Sequence, residues 1–348
     1  MNSRTGFRGV GRLLLLLALM LAPGVGACAE AGPWTDFKGR FVLADGRVVD
    51  TGNRNISHSE GQGFAMVMAT AYNDREAFDR IWSWTDRVLS RPDMRLFSWR
   101  YDPSAAQPVA DPNNATDGDL MIAWALQRAA QRWKEPRYAQ QSAAIRAAIL
   151  ERLVVRQGSR TLLTPGLTGF VHPDSVVVNP SYAVLPALDA FAALEPRGPW
   201  PKVRDESLKL VRDARFGAHF LPSDWVRVDT AGGLWTDPAN PPRFGFDAVR
   251  VPLYLAWSGR SRDLAMAGPR QWWRSARRPA QRAPAWIDVR TGETAPFAAS
   301  VGMDSVAQLT LTGQAPAAGL RGEDYYSAAL LALVDVAARE SRHGRARS

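Results

Sequence analysis

A series of segments with the apolar spacing of α-helices runs through this 348-residue chain and limits its fold more than anything else in the sequence. Several begin at a capping residue or a proline, such as Asp74 and Pro136. The segments between them are rich in glycine, proline and β-branched residues, which predicts long loops with short strands. The predicted helices are 60–72, 74–90, 117–134, 137–156, 181–194, 201–214, 247–258, 303–312 and 324–340.

This succession of paired helices predicts one all-α domain over residues 30–341, a toroid of helical hairpins around a centre. Periodicity alone does not separate a toroid from another all-α array. A small hairpin over Phe41–Asp50, with Asp45 and Gly46 at its turn, is predicted ahead of the helices. Hydrophobic residues make up 46% of the chain and charged residues 22%, so a buried core is expected rather than disorder.

Residues 1–29 have the features of a signal peptide, with three arginines, then an apolar run over 13–21, then small residues around position 28. The run is too short to span a bilayer, and no later stretch is long and apolar enough to do so. We expect export to the periplasm or the medium. A lipoprotein-like box ending at Cys28 leaves open lipid attachment there. Because Cys28 is the only cysteine, no intramolecular disulfide is expected.

The formal net charge is +9, and part of it lies in the leader and in a basic tail at 342–348. The rest of the chain has no dense block of lysine and arginine, so nucleic acid is not an expected partner.

Carboxylates stand at three predicted helix starts. They are Glu60, the pair Asp117 and Asp119, and Asp247. One interpretation is helix capping, since Ser57 with Glu60 and Thr116 with Asp119 both fit a capping box and Asp247 fits a plain N-cap.

The other interpretation is a catalytic site. Gly61, Gly63 and Gly118 flank the carboxylates and leave room for a bulky polymer. Glycoside hydrolysis needs one protonated and one ionised carboxyl group across the sugar ring. We expect a neighbouring Asp117 to raise the pKa of Glu60, because a helix N-terminus alone would keep it ionised.

Thirteen tryptophans form a second feature, since the apolar face of a pyranose stacks on a flat aromatic ring. Core packing is the expected role for most of them, including Trp82 and Trp124 on amphipathic helices. Trp99, in a predicted loop, is the expected sugar platform.

Other chemistries find little support. The four histidines have no metal-ligand spacing, so no metal is expected, and no cofactor motif is present. The sequence also has no nucleophile-elbow serine, and Cys28 leaves with a cleaved leader. His58 is expected to support the neighbouring Glu60.

The segment Ala115–Leu126 resembles the signature of glycoside hydrolase family eight, and Ser59–Gln62 resembles the segment with that family's proton donor. The resemblance covers essentially the whole mature chain. It implies an (α/α)6 barrel with an open cleft and no required metal or cofactor.

The resemblance assigns the acid to Glu60 and the water-activating base to Asp247. Asp117 matches the signature aspartate, for which holding and distorting the sugar suits an inverting family. Phe246 stands where several members have tyrosine before the base. The implied substrate contacts are Trp99, Asp119, Tyr182, Arg250, Tyr325 and Tyr326.

The implied activity is internal cleavage of a β-1,4-glucan chain, in the context of bacterial cellulose synthesis and possible docking to the synthase complex. Two alternatives stay open. The first is a relative that acts on xylan, mixed-linkage glucan or chitosan, although Asp247 argues against chitosan. The second is a non-catalytic glycan-binding assembly factor.

Overall fold

The computed structural model describes residues 32–278, 281–316 and 322–345. The predicted leader with Cys28 lies outside these residues, as does the end of the basic tail. The described part is mostly helical. Its helices are α1 (Pro33–Phe41), α2 (Ser59–Ala71), α3 (Arg75–Val88), α4 (Thr116–Trp133), α5 (Pro136–Arg152), α6 (Leu185–Leu194), α7 (Trp200–Asp213), α8 (Arg250–Trp257), α9 (Ala267–Ala276), α10 (Val301–Thr312) and α11 (Tyr325–Arg345).

The predicted helices are all present, with differences at their ends. Asp74 caps α3 by accepting from the backbone N–H of Ala77 at 3.1 Å, and Pro136 is the first residue of α5, as predicted. The prediction for 181–194 is wrong at its start, where a 3-10 turn over Pro180–Tyr182 precedes α6. Helices α1 and α9 were not predicted.

Six helices contact one another in a closed series. Helix α2 packs on α4, α4 on α6, α6 on α8 and α8 on α10, while α10 packs on α11 and α11 returns to α2. Four others pack against single members of that series, namely α3 on α2, α5 on α4, α7 on α6 and α9 on α10.

Burial follows this arrangement. Helix α4 buries every residue of Thr116–Gln127, and α8 buries all of Arg250–Trp257. Helix α3 buries one face only, as an outer amphipathic helix does. The core packing predicted for Trp82 and Trp124 is confirmed, since they are 8% and 5% exposed.

Short strands lie in the connections, as predicted. They are β1 (Ser57–His58), β2 (Ser90–Arg91), β3 (Leu96–Phe97), β4 (Arg100–Tyr101), β5 (Val154–Gln157), β6 (Arg160–Leu163), β7 (Ser175–Val178), β8 (Val226–Asp229), β9 (Leu234–Thr236), β10 (Arg243–Phe244) and β11 (Ile287–Asp288). All pair antiparallel, as β1–β4, β2–β3, β5–β6, β10–β11 and the three-stranded β7–β8–β9.

The hairpin predicted over Phe41–Asp50 is only partly present. Phe41 ends α1, and a single bridge joins Val42 to Val48 across the turn. Gly46 supports that turn with a φ of +94°, where a side chain would collide with the backbone of α3.

Within the described residues, no helix is long and apolar enough to cross a membrane.

Candidate active site

The guanidinium of Arg250, the first residue of α8, joins the predicted carboxylates. Its Nη1 donates to Glu60 Oε2 at 2.6 Å and to Asp117 Oδ2 at 2.9 Å. Its Nη2 donates to Asp247 Oδ1 at 2.8 Å and to Ser181 Oγ at 3.0 Å. We call these five residues the Arg250 cluster. It unites carboxylates from α2, α4 and the turn before α8, which are far apart in the sequence.

The members of the cluster differ in their access to solvent. The side chains of Arg250 and Asp117 are fully buried, whereas that of Glu60 is 22% exposed and that of Asp247 is 32% exposed. Glu60 and Asp247 are therefore the carboxylates that a substrate can reach, and Asp117 lies behind them.

The capping interpretation is wrong for these residues. The N-cap positions of α2 and α4 form no side-chain capping bond, so neither Ser57 with Glu60 nor Thr116 with Asp119 forms a capping box. Helix α8 begins three residues after Asp247, whose carboxylate instead bonds Arg250 and the Asn179 amide.

The glycines beside the carboxylates permit close helix packing, not the approach of a polymer. A Cβ on Gly63 would lie 2.6 Å from Met121 Cβ, and one on Gly118 would lie 2.4 Å from Ser59 Oγ. Both contacts join α2 to α4. A Cβ on Gly61 would lie 2.1 Å from a tyrosine hydroxyl of α11. The glycines thus bring Glu60 and Asp117 together by letting their helices approach closely.

Asp119 does not reach the cleft, contrary to our expectation of a substrate contact. Its side chain is fully buried and accepts from the Phe97 backbone N–H at 3.0 Å and from Asn114 Nδ2 at 2.6 Å. Burial raises its pKa to about 7. Asp119 therefore ties the 97–114 loop to α4 rather than binding a sugar.

The carboxyl groups of Glu60 and Asp117 are hydrogen-bonded to each other, and their pKa values shift in opposite directions. Burial and the negative charge of Glu60 raise the pKa of Asp117 well above its usual value. Burial acts to raise the pKa of Glu60 too, but the charge of Arg250 and the hydrogen bond from Asp117 outweigh it and leave that pKa lowered. Our expectation that Asp117 raises the pKa of Glu60 is therefore wrong for the substrate-free site.

Burial also raises the pKa of Asp247, and the charge of Arg250 opposes that shift. Removing this guanidinium would thus favour protonation of Asp247. The cluster controls the charge of all three carboxyl groups through one cation.

A cavity of about 250 Å³ opens beside Glu60. Four predicted substrate contacts line it, namely Trp99, Tyr182, Tyr325 and Tyr326, together with Asp50, His58 and Ala115. Arg250 lies next to it, with its guanidinium carbon 5.7 Å from the centre of the Tyr182 ring.

Trp99 is held at the cavity from two sides. Its indole Nε1 donates to Asp111 Oδ2 at 2.7 Å, and its ring lies 6.1 Å from the His58 ring at an interplanar angle of 18°. His58 thus packs against the aromatic wall, and burial lowers its pKa.

Aromatic rings continue away from Tyr182. Its ring centre is 6.2 Å from that of Trp225, which stacks parallel on Phe170 at 6.0 Å. Sequence reasoning assigned Tyr182 to the substrate but not Trp225 or Phe170, which come from two separate loops.

Phe246 is 47% exposed, and its backbone carbonyl accepts a hydrogen bond from the Tyr326 hydroxyl. Phe246, where several family members have tyrosine, therefore adds no hydroxyl beside Asp247. The Tyr326 hydroxyl of α11 instead bonds the backbone next to Asp247.

Sequence reasoning also missed two acidic residues. Asp50 lines the cavity, and burial raises its pKa. Asp224 accepts hydrogen bonds from the turn that carries Asp247. Neither stands at a predicted helix start, which was the pattern used to find the other carboxylates.

Within the described ranges, no group of three or more histidine, cysteine, aspartate or glutamate residues is arranged to hold a metal ion.

The chain is similar to known proteins over most of its length. A profile described as "Glycosyl hydrolases family 8" matches residues 12–340. The endoglucanase of Cellulomonas uda is 42% identical over 304 residues, which is 87% of this chain and 83% of that protein.

Solved structures are similar as well. Endoglucanase Cel10 from Klebsiella pneumoniae matches with a TM-score of 0.84 and 43% identity, over 88% of this chain and 99% of that one. The endo-β-1,4-glucanase CMCax from Acetobacter xylinum matches with a TM-score of 0.84 and 39% identity, over 89% of this chain and 98% of that one.

Proposed function

The chain belongs to glycosyl hydrolase family 8, and from this premise we propose that it is an endo-β-1,4-glucanase that cleaves its polymer by direct attack of water with inversion. The observation that carries the proposal is the Arg250 cluster, which holds two accessible carboxylates on one guanidinium beside an aromatic cavity. The fold is an (α/α)6 barrel whose inner layer is the closed series of α2, α4, α6, α8, α10 and α11.

Glu60 is the general acid. It is the one member of the Arg250 cluster that lines the cavity, so its carboxyl group can reach the glycosidic oxygen. Its proton comes from Asp117 through their shared hydrogen bond, and it passes to the departing sugar as the C–O bond breaks.

Asp247 is the general base. It takes a proton from the water that attacks the anomeric carbon from the face opposite the leaving group. Its carboxylate is held by Arg250 at 2.8 Å and by Asn179 Nδ2 at 3.1 Å, which leaves its exposed side free to orient the water.

The proposal makes a demand on the separation of the two carboxylates, which bond different nitrogens of one guanidinium. Two hydrogen bonds of 2.6 and 2.8 Å and the width of one guanidinium lie between Glu60 and Asp247. Inverting enzymes need roughly 6.5–9.5 Å between the carboxyl groups, because a water must fit between the base and the sugar, whereas retaining enzymes need about 5 Å.

Asp117 supports the acid from behind, because it stores the proton next to Glu60. Its side chain is fully buried, contrary to our expectation that it holds and distorts the sugar. The sugar faces pack on Trp99, Tyr182 and Tyr326 at the cavity wall, with Tyr325 behind Gly61.

The enzyme is exported by its N-terminal 29 residues and acts on glucan made during bacterial cellulose synthesis. This part of the proposal depends on the leader pattern, on the context of cellulose synthesis that the sequence resemblance implies, and on the similarity to CMCax from Acetobacter xylinum. Mass spectrometry of the exported protein tests it, because plain secretion gives a polypeptide mass and an outer-membrane anchor gives an acylated Cys28.

Glu60→Gln tests the proposed acid, because the amide keeps the shape but has no proton to give. We expect turnover of carboxymethyl-cellulose to fall by about 10²–10⁴-fold, with cello-oligosaccharide binding nearly unchanged. Glu340→Gln is the matched control, since that glutamate also pairs with a guanidinium, that of Arg128, away from the cavity. Near wild-type turnover of Glu60→Gln would reject Glu60 as the acid.

A panel of xylan, mixed-linkage glucan and chitosan, assayed for reducing ends beside carboxymethyl-cellulose, decides the substrate. Binding of any of these without release of reducing ends would instead favour a glycan-binding assembly factor. Proton NMR of early cello-oligosaccharide products decides the stereochemistry. The α-anomer is expected, and a β-anomer would remove Asp247 from its role as base.

A further inference from the structure

The turn that carries Asp247 is held by a carboxylate from another part of the chain. Asp224 Oδ1 accepts from the backbone N–H groups of Ala248 at 2.7 Å, Asp247 at 3.2 Å and Gly245 at 3.3 Å. Asp224 is itself fixed, because its own N–H donates to the Arg243 carbonyl at 2.7 Å.

The turn is shaped to accept this carboxylate. A Cβ on Gly245 would lie 2.8 Å from Asp224 Oδ2, so only glycine leaves the space without a shift. The three bonds end two residues before α8, whose first residue is Arg250. The position of Asp247 relative to Arg250 thus depends on backbone contacts as well as on side chains.

Asp224 also connects the base to the aromatic row. It immediately precedes Trp225, whose ring lies against Tyr182 at the cavity. Asp224 therefore links the Trp225 ring, through the peptide bond between the two residues, to the turn that carries the proposed base Asp247.

We propose that Asp224 is a positioning residue for hydrolysis, which fixes the Asp247 carboxylate on the attacking water by accepting the N–H groups of its turn. This inference rests on the proposed role of Asp247 as base. Asp224 itself touches neither the sugar nor the water. A misplacement of about 1 Å at a reacting group can cost roughly 10²-fold in rate, so even a small relaxation of the turn should be measurable.

Burial and the charge of Asp247 raise the pKa of Asp224 to about 7. Below that pH the carboxyl group is neutral, and an asparagine reproduces both its shape and its acceptor oxygen. The pair Asp224→Asn and Asp224→Ala therefore separates the acceptor from the rest of the side chain.

The experiment measures kcat, KM and Tm of both variants on a soluble cello-oligosaccharide, below the pKa of Asp224 and well below each Tm. We expect Asp224→Ala to lower kcat by about 10- to 100-fold with KM within about twofold. Asp224→Asn should restore kcat to within about threefold of the wild type.

Asp263→Ala is the matched control. Asp263 also caps a short helical turn, accepting from the Ala265 N–H at 3.0 Å, but its side chain pairs with Arg212 rather than with the Arg250 cluster. It should lower Tm and leave kcat unchanged.

Two results would overturn the proposal. One is an Asp224→Ala enzyme that loses Tm as the control does but keeps kcat within about twofold. The other is an Asp224→Asn enzyme as slow as Asp224→Ala, which would mean that the acceptor geometry is not what matters. If Asp224→Ala does not fold, Gly245→Ala displaces the same carboxylate from the other side, and an unchanged kcat there also rejects the proposal.

Asp247→Asn, assayed in parallel, distinguishes failure of the inference from failure of the proposed function. An active Asp247→Asn enzyme would reject Asp247 as the base and with it the proposed mechanism. An inactive Asp247→Asn enzyme supports that role, and the Asp224 variants then decide the inference alone.

Discussion

Replacing Arg250 with lysine tests whether one guanidinium must bridge the acid and the base. Lysine keeps the positive charge, but its single nitrogen cannot occupy the positions of both Nη1 and Nη2, which now serve four side chains. At least the bond to Asp247 or the bond to Glu60 should be lost.

A hydrogen bond to a charged group is worth about 1.5–3 kcal/mol. At about 1.4 kcal/mol per factor of ten, Arg250→Lys should lower kcat by about 10- to 150-fold. The assay is initial-rate hydrolysis of a cello-oligosaccharide over a range of pH, with Tm measured on the same preparations. Arg260→Lys is the control, because Arg260 also bonds both oxygens of one carboxylate, Asp189, outside the cluster.

Arg250→Met separates the charge from the geometry. The positive charge of Arg250 lowers the pKa of Asp247 against the effect of burial, so its removal raises that pKa. Asp247 must be ionised to accept a proton, and the acidic limb of the kcat profile should therefore move to higher pH. In Arg250→Lys, where the charge remains, the limb should stay near its wild-type position.

The role of Arg250 as a bridge between acid and base is refuted if Arg250→Lys keeps kcat within about twofold of the wild type while Arg250→Met leaves the acidic limb in place. That result would mean that the cluster neither positions the two carboxylates nor sets their charge.

Three further outcomes follow from the structure. Gly63→Ala should destabilise the fold by about 1–3 kcal/mol in calorimetry, because its Cβ would lie 2.6 Å from Met121 Cβ, whereas Gly39→Ala, with nothing within 4 Å, should be neutral or slightly stabilising. Trp99→Ala should raise KM about tenfold with little change in kcat, because covering an aromatic side chain with a sugar is worth about 1.5 kcal/mol, the lower end of the values for burying a large apolar side chain. An unchanged KM would reject Trp99 as a sugar platform. Asp119 has a pKa of about 7 in the folded chain and about 3.9 in an unfolded chain. Its protonation therefore contributes about 4 kcal/mol to the free energy of unfolding, a contribution that is present below pH 4 and lost as the pH rises through 7. The Tm of Asp119→Asn should accordingly fall less over that range than the Tm of the wild type, and parallel curves would contradict this.

The long inner helices could be predicted from the sequence because each contains a run of apolar and small residues, such as Leu120–Leu126 in α4. The predicted 60–72 and 117–134 differ from α2 and α4 by one residue at each end. Helices α1 and α9 were missed because they bury little beyond aromatic rings such as Trp272 and Trp273, and so lack a run of buried aliphatic residues.

The three catalytic candidates were found because helix starts gather at one end of a ring of inner helices. Their capping alternative failed because those starts are buried, and there Glu60, Asp117 and Asp247 all bond one buried arginine. Asp119 was assigned to the substrate although it lies only two residues after Asp117. Residues two apart on a helix do not share a face, so one of the pair had to point away from the cleft.

Asp224 was beyond the reach of sequence patterns. It acts on a turn more than twenty residues later in the chain, and nothing near it marks a capping site for that turn. Contacts of this kind depend on how two loops meet, which neither spacing nor periodicity encodes.

The pKa values of the substrate-free site indicate how binding can prepare the acid. Glu60 has 22% of its side chain exposed and Asp117 has none, so a sugar that displaces water desolvates Glu60 alone. Desolvation raises the pKa of a carboxyl group, and the shared proton then moves from Asp117 towards Glu60, next to the glycosidic oxygen. Asp247, 32% exposed, would be protonated in the same way if its surroundings became dry. In the proposed inverting mechanism the attacking water stays beside it, and together with Arg250 and Asn179 that water would keep Asp247 ionised. An inverting mechanism, which requires this water, therefore lets one binding event protonate the acid without protonating the base.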